Sequence, residues 1–232
     1  MAGIKQIKKA RPPKQQRTPQ VSGPQDTWLN EALDNYLTGT MTPPRGGVFH
    51  PSTLSNKCDR AVWLIYHEKM ITTPLEPVLN RIFQNGTSLE QRVERWLSKL
   101  GILVAREISV KWDIPPISGR MDFLIRHSDF GVSTVELKSI NTAGFGRLNR
   151  PKPEHELQLQ MYLNMGSYKQ GTVLYENKND QKIKSYIIQR DYKQWDDLLT
   201  RCFKIQEMSK APNQCTGEYW CACKNVPFEG EE

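Results

Sequence analysis

The sequence predicts an α/β fold in which a central mixed β-sheet is flanked by helices. Helix-like and strand-like segments follow one another in the order helix, strands, helix, strands, helix, which is typical of such a sheet. Two pairs of strand-like segments are joined by turn residues, Gly131 in one pair and Asn179-Asp180 in the other. The chain has 232 residues, of which 38% are hydrophobic and 25% charged, and it is long enough to bury a core of this kind.

Three helices are expected before the first strand of the sheet. Residues 26–38 place apolar side chains at helical spacing. A second helix is expected over residues 52–69, with Ser52 as its N-cap. A third is expected from about Pro77 to Leu100, interrupted by Gly86 and ended by Gly101.

The strands and the remaining helices are expected after Gly101. Residues 102–112 form a strand, and residues 119–126 and 133–140 form a hairpin around Gly131. The later segments are, in chain order, a Gly- and Pro-rich loop (141–153), a helix that Gly166 ends (153–165), a second hairpin (172–189) and an amphipathic closing helix (191–210).

Charge and composition divide the chain into four parts. Residues 1–25 are predicted to be a disordered basic tail, because they hold six basic residues, no acidic residue and little to bury. That tail, which accounts for six of the seven excess positive charges, either holds a polyanion or is merely solvated. The other predicted parts are an N-terminal helix and linker (26–50), the α/β domain (51–210) and a cysteine-rich C-terminal segment (211–232).

Two carboxylates and a lysine are the strongest candidates for chemistry. Asp122 lies on one strand of the first hairpin, and Glu136 and Lys138 lie on the other. Side chains two apart share a strand face, so Glu136 and Lys138 point the same way while Leu137 points into the core. Paired carboxylates suit Mg²⁺ or Mn²⁺, and a neighbouring lysine suits phosphodiester hydrolysis. A solvated strand face is the alternative for this motif taken alone.

Two helical motifs accompany these three residues. Glu90 lies in the Gly-x-x-x-Glu of GTSLEQRVERW, and Gln158 and Tyr162 form a Gln-x-x-x-Tyr in ELQLQMYL. Residues four apart lie on one helical face, so the amide and the phenol can hold the Lys138 amine or a DNA backbone. An ordinary surface glutamate and a core tyrosine are the alternatives for Glu90 and Tyr162.

The order of these motifs resembles the PD-(D/E)XK nuclease superfamily, and within it the RecB-like branch. That branch includes the lambda-type phage exonucleases and the CRISPR-associated RecB-like exonucleases. The resemblance implies a restriction-endonuclease-like core and a metal held by Glu90, Asp122, Glu136 and the Leu137 backbone carbonyl. It also implies catalytic roles, which fall here on Asp122, Glu136, Lys138, Gln158 and Tyr162.

Four of the five cysteines form a second candidate metal site. Cys58 precedes the domain core, and Cys215, Cys221 and Cys223 lie near the C-terminus. This arrangement resembles the iron–sulfur nucleases of the RecB-like branch, which implies a 4Fe-4S cluster, although the C-x5-C-x-C spacing departs from that family's usual pattern. Zinc and metal-free reduced thiols are the alternatives. Cys202 is expected to be a small core residue.

The resemblance implies a DNA exonuclease of recombination, repair or phage DNA metabolism, with a helicase, recombinase or single-strand-binding protein as partner. Arg147, Arg150 and Lys152 are candidate DNA contacts in the loop after Lys138, where Phe145 is available to stack on a base. The alternatives are a DNA-binding module with a vestigial site and a CRISPR spacer-processing nuclease. With no apolar run long enough for a membrane, a soluble cytoplasmic protein of a bacterium or phage-infected cell is expected.

Overall fold

The computed structural model describes residues 27–43, 45–70, 73–216 and 221–225. The predicted basic tail (1–25) lies outside these ranges, as do parts of the predicted cysteine-rich segment. The chain divides into two compact units between Tyr36 and Leu37. Helix α1 (Trp28–Leu37) belongs almost entirely to the first unit, and everything below concerns the second. Within the described ranges, no helix combines the length and apolar character needed to cross a membrane.

Helices and two small strands precede the central sheet along the chain. These elements are, in chain order, β1 (Gly39–Met41), α2 (Pro51–Leu54), α3 (Asp59–Tyr66), β2 (Thr73–Leu75) and the long helix α4 (Pro77–Lys99). Strands β1 and β2 form a two-stranded antiparallel sheet.

The central sheet is mixed, as the sequence predicts. Its five strands are β3 (Leu103–Trp112), β4 (Ile117–His127), β5 (Gly131–Ile140), β6 (Gln170–Asn177) and β7 (Ile183–Gln189). They lie in the sheet in that order; β5 and β6 are parallel, and the other neighbours are antiparallel. Helices α5 (Thr142–Gly146) and α6 (Pro153–Met165) lie between β5 and β6 in the chain, and α7 (Tyr192–Glu207) and α8 (Ala222–Asn225) follow β7.

Helices cover both faces of this sheet. Leu89 and Val93 of α4 pack against Phe123 and Leu137 on one face. On the other face, Tyr162 of α6 packs against side chains of β4. Leu137 therefore belongs to the α4 face, whereas Glu136 and Lys138 turn towards α6, as the period of a strand requires.

Two helical predictions need correction. The helix expected over residues 52–69 is two short helices, α2 and α3, and Cys58 rather than Ser52 is an N-cap: its sulfur accepts a hydrogen bond from the Ala61 N–H. Gly86 does not interrupt α4, which is continuous through it. The segment before α2 is also anchored to the sheet, because buried Phe49 exchanges backbone hydrogen bonds with Pro116 and Ser118.

Candidate active site

The site lies where strands β4 and β5 separate. Their ladder pairs His127 with Gly131 at one end and Phe123 with Val135 at the other. Beyond that last pair, an Asp122 carboxylate oxygen accepts a hydrogen bond of 2.7 Å from the Leu137 backbone N–H. A side chain thus takes the place of a backbone partner, which fixes the Asp122 carboxylate beside β5.

Glu136 is a buried carboxylate with one oxygen left unpaired. Its side chain is 2% exposed, and one oxygen lies 2.6 Å from the Lys138 ammonium. The other oxygen is buried and has no hydrogen-bond partner among the described residues. Burial, reinforced by the Asp122 carboxylate, raises the pKa of Glu136 to about 8, although Lys138 opposes that shift.

Helix α6 supplies a second hydrogen-bond partner for Lys138, the candidate catalytic lysine. The Lys138 ammonium donates to the Gln158 side-chain oxygen at 3.1 Å, and the Gln158 amide donates to the Tyr162 hydroxyl at 3.4 Å. Burial, and then the negative charge of Glu136, raise the pKa of the Tyr162 phenol, which therefore stays protonated. The structure thus places the Gln-x-x-x-Tyr motif beside Lys138.

Two further carboxylates border the site. Glu90 of α4 is half-buried, and its pKa is raised first by burial and then by the charge of Asp122. Glu107 was not singled out in the sequence; because Arg106 pairs with Phe123 and Ile108 with Met121, it lies opposite Asp122. Strand alternation alone could not identify Glu107, since its position depends on the β3–β4 register.

The backbone of Glu107 is unusual for a strand residue. Its φ of 50° is in the left-handed region, which residues other than glycine rarely adopt within a strand. Its carboxylate forms an ion pair of 3.3 Å with Arg120, and its charge contributes to the raised pKa of both Asp122 and Glu90. The site therefore gathers more negative charge than its one lysine and one arginine neutralise.

The unpaired oxygen of Glu136 and the neighbouring carboxylates are the kind of ligands that a hard divalent cation takes. Asp122, Glu136 and Glu90 come from three different elements and influence one another electrostatically. The unpaired, buried oxygen of Glu136 is costly to leave without a partner, and a cation would satisfy it. Carboxylate oxygens are the ligands that Mg²⁺ and Mn²⁺ prefer.

The basic residues after Lys138 lie around the unpredicted helix α5. Arg147 is its exposed C-cap, Arg150 pairs with Glu156 at 3.0 Å, and Lys152 lies 3.8 Å from Glu154. Phe145 cannot stack on a base as expected, because it is buried in the core with the Lys184 ammonium 4.7 Å from its ring centre.

The four candidate cysteine ligands meet in one cluster. The sulfurs of Cys58, Cys215, Cys221 and Cys223 all lie within 4.8 Å of one another, and three of these residues are buried. The Cys215–Cys223 and Cys221–Cys223 sulfur distances are 3.4 and 3.5 Å. Burial raises the pKa of the Cys58 thiol. Cys202 is fully buried in the core, as expected.

Hydrogen bonds independent of any metal also join α3 to the C-terminal part of the chain. Arg201 of α7 donates to the Asp59 carboxylate at 2.8 Å and to the backbone carbonyls of Leu54 and Asn56 at 2.7 Å each. The Trp63 indole N–H donates to the Met208 carbonyl at 2.9 Å. These bonds fix Cys58 opposite the segment that carries the other three cysteines.

A groove of about 700 Å³ borders both clusters. Lys138 and Gln158 of the carboxylate site line it, and so do three of the cysteines. The remaining lining residues are Ser52, Ser55, Asn56, Lys57, Glu154, His155 and Thr216.

Comparison with known proteins shows similarity of fold. No protein-family model and no curated protein matches the chain. Among solved structures, the protein SSO0001 is 17% identical with a TM-score of 0.53, covering 79% of this chain and 85% of its own. The alkaline exonuclease LHK-Exo of Laribacter hongkongensis is 18% identical with a TM-score of 0.52, covering 70% and 87%. A second LHK-Exo structure, in complex with dAMP, has a TM-score of 0.51 at 17% identity, covering 69% and 86%. The chain therefore has the exonuclease-type α/β fold that the sequence predicts.

Proposed function

We propose that the protein is a metal-dependent DNA nuclease that hydrolyses phosphodiester bonds. The observation that supports this most strongly is the unpaired, buried oxygen of Glu136, a carboxylate that binds the Lys138 ammonium through its other oxygen and whose pKa is raised by the charge of Asp122. Exonuclease action is supported by the fold shared with LHK-Exo, whose complex with dAMP holds a nucleotide.

The residues divide the chemistry between them. Asp122, Glu136 and Glu90, with the backbone carbonyl of Leu137, would hold Mg²⁺ or Mn²⁺. Such an ion supplies a bound water of lowered pKa and neutralises charge developing on the phosphoryl group. One Asp122 oxygen accepts a hydrogen bond from the Leu137 N–H, which orients the carboxylate. The second Asp122 oxygen takes no part in that bond.

Lys138 would act on the attacking water or on a phosphate oxygen. Its ammonium has three N–H donors, and two of them bind Glu136 and Gln158. The third remains for the substrate, at a position fixed by those two bonds. Tyr162 holds the Gln158 amide in place and so acts as a positioning residue.

The cysteine cluster would hold a separate, structural metal centre. The resemblance to iron–sulfur nucleases supports a 4Fe-4S cluster. The sulfur separations support zinc, because one tetrahedral ion about 2.3 Å from each sulfur puts the sulfurs roughly 3.8 Å apart. Anaerobic purification with visible absorption and elemental analysis decides between them: iron with sulfide indicates the cluster, and zinc alone indicates the single ion.

DNA is the proposed substrate and polyanionic partner. Arg147, which is exposed beside α5, and the ion-paired Arg150 and Lys152 would contact phosphates along the loop after Lys138. A role in recombination, repair or phage DNA metabolism, with a helicase, recombinase or single-strand-binding protein, is part of the same proposal. CRISPR spacer processing is the alternative setting for the same activity.

Substitution of Asp122 separates an enzyme from a DNA-binding module. Asp122→Asn keeps the shape of the side chain but removes its charge, so we expect cleavage of labelled DNA in Mg²⁺ or Mn²⁺ to fall by at least about 100-fold. DNA affinity should change by less than about threefold, since binding rests on other contacts. If the wild-type protein cuts no DNA and Asp122→Asn binds DNA as tightly as the wild type, the protein is instead a DNA-binding module.

A further inference from the structure

The groove between the carboxylate site and the cysteine cluster contains polar groups that phosphodiester hydrolysis does not use. Three of them are exposed and lie on or near α2, namely Ser52, Asn56 and Lys57. Glu154 and His155 contribute from the first turn of α6. These residues line the same groove as Lys138, so a substrate held by Lys138 would extend over them.

Hydrogen bonding favours one tautomer of His155. The Lys152 backbone N–H donates to the hydroxyl of fully buried Tyr175 at 3.0 Å. The buried hydroxyl hydrogen of Tyr175 needs an acceptor, and Nδ1 of His155 lies 2.8 Å away. This pairing favours the tautomer whose ring hydrogen lies on Nε2. His155 thus offers one N–H donor whose ring is held in place by a buried tyrosine.

His155 is also neutral. Burial, with the nearby charges of Lys138 and Lys152, lowers its pKa to about 3. A neutral imidazole with an oriented N–H can donate to a base carbonyl or a phosphate oxygen. Because it carries no charge, it does not form an ion pair with the carboxylates that would hold the metal. Its donor role therefore does not depend on protonation in the neutral pH range.

The other lining groups are mainly donors. The Asn56 side-chain oxygen accepts from the Cys58 N–H at 2.9 Å, which leaves the Asn56 NH₂ group for a ligand. Lys57 adds an ammonium at the exposed edge of the groove. The acidic Glu154 is partly neutralised by Lys152, 3.8 Å away. Together these groups favour an anionic ligand that also carries hydrogen-bond acceptors.

We propose that this groove binds the nucleotides of a single unpaired strand next to the scissile phosphate, with Lys57 on a neighbouring phosphate and the His155 Nε2–H on an acceptor of the same strand. This inference rests on the proposed function and specifies the substrate form. A groove of about 700 Å³ is within the roughly 300–1,000 Å³ of a pocket for one small ligand, a size that suits nucleotides of one strand better than both strands of a duplex.

Equilibrium binding tests the proposal without requiring cleavage. In the Asp122→Asn background with Mg²⁺, fluorescence anisotropy would measure the Kd of a labelled oligothymidylate of about ten nucleotides and of a blunt hairpin duplex. Lys57→Ala should weaken oligothymidylate binding about tenfold and reduce the slope of log Kd against log salt by about one. Duplex binding should be weaker and insensitive to Lys57→Ala.

Three further variants complete the experiment. Lys169→Ala removes an exposed lysine near the opposite end of β5 from Lys138 and should leave oligothymidylate binding unchanged. His155→Ala should weaken binding several-fold, and His155→Gln, whose amide places an N–H near the position of Nε2–H, should restore much of it. Lys57 is exposed, so its substitution should leave the melting temperature unchanged.

The outcomes separate this inference from the proposed function. Lys57-dependent strand binding by a wild-type protein that cuts no DNA keeps the groove and overturns the nuclease. Metal-dependent cleavage combined with oligothymidylate binding that is equally sensitive to Lys57→Ala and Lys169→Ala overturns the groove and keeps the nuclease. Lys57-dependent binding that is tighter for the duplex also overturns it.

Discussion

At the scale of single residues, Glu136 destabilises the metal-free fold and is at the same time a central residue of the proposed site. Its buried carboxylate has one unpaired oxygen, and burial disfavours its charged form. Such a group is retained where a ligand will satisfy it, which is the usual conflict between stability and activity at a functional site.

At about pH 9, above its pKa of about 8, Glu136 is mainly ionised, so replacing that charge should stabilise the metal-free protein. We expect Glu136→Gln to raise the melting temperature in EDTA by about 2–4 °C, corresponding to roughly 1 kcal/mol in a chain of this length. Added Mg²⁺ should raise the melting temperature of the wild type but not of the variant, because only the wild type binds the ion well. Thermal unfolding followed by fluorescence measures both; equal Mg²⁺ responses would argue against metal binding at Glu136.

His155 makes stability depend on pH in a defined window. Its pKa is about 3 in the folded protein and about 6.5 in the unfolded chain. Between these values the unfolded chain binds a proton that the folded protein does not. His155 therefore costs no stability above about pH 6.5, and its proton uptake lowers the free energy of unfolding progressively as the pH falls from 6.5 towards 3.

Acidification should therefore affect the wild type more than His155→Gln. Between about pH 7.5 and pH 5 the melting temperature of the wild type should fall further than that of the variant, since glutamine does not titrate. Parallel pH curves for the two proteins would show that His155 titrates normally. The comparison cancels other titrating groups that both proteins share.

The residues of the site differ in how far the sequence could predict them. Glu136 and Lys138 share a face because strands have a period of two, and that period is visible in the sequence alone. Asn56 and Lys57 join the same groove only because the fold packs α2, which precedes them in the chain, against α6. Local sequence patterns cannot reveal such a contact, because it joins segments that are far apart in the chain.

At the scale of elements, local signals predict most strands and helices. Turn residues and alternation locate both hairpins, and Gly101, with its φ of 70°, ends α4 as expected. The helix expected from Ser52 fails because Arg201 binds the carbonyls of Leu54 and Asn56 from about 145 positions away, which stabilises the break between α2 and α3. That long-range bond overrides local helix propensity.

Two glycines test the packing of these elements in opposite directions. A Cβ at Gly119 would lie 2.7 Å from Pro51 Cγ and 2.9 Å from the Tyr162 ring. We expect Gly119→Ala to cost about 1–3 kcal/mol and to reduce cleavage by displacing Tyr162 from Gln158. Chemical denaturation and a cleavage assay measure these effects.

Gly86 is the matched control. A Cβ there would meet nothing within 4 Å, and the residue lies inside α4. Gly86→Ala should stabilise the protein by about 0.5–1 kcal/mol and leave cleavage unchanged. Equal destabilisation by the two alanines would show that Gly119 is not a tight contact between β4, α2 and α6.

At the scale of the whole molecule, the cysteine cluster joins distant parts of the chain. Cys58 and Cys223 are 165 positions apart in the sequence, yet their sulfurs lie within 4.8 Å. The spacing in the sequence indicated a metal site, but only the structure shows that α3 and the C-terminal cysteines meet. A metal there would link the segments that border the groove.

Removing one cysteine ligand should release that metal. Cys58→Ala should lose the bound iron or zinc and lower the melting temperature by several degrees, because the metal stabilises only the folded protein. Cys202→Ala, a buried cysteine outside the cluster, should keep its full metal content. Elemental analysis of the two purified proteins decides, and full metal content in Cys58→Ala would exclude Cys58 as a ligand.

The nuclease assay tests the central claim most directly. End-labelled single- and double-stranded DNA would be incubated with anaerobically purified wild type, Lys138→Ala and the control Lys169→Ala, in Mg²⁺ or Mn²⁺ and then in EDTA. We expect the wild type and Lys169→Ala to degrade DNA only with the metal, and Lys138→Ala to be at least about 100-fold slower. Cleavage that persists in EDTA, or that Lys138→Ala retains in full, would contradict the proposed active site.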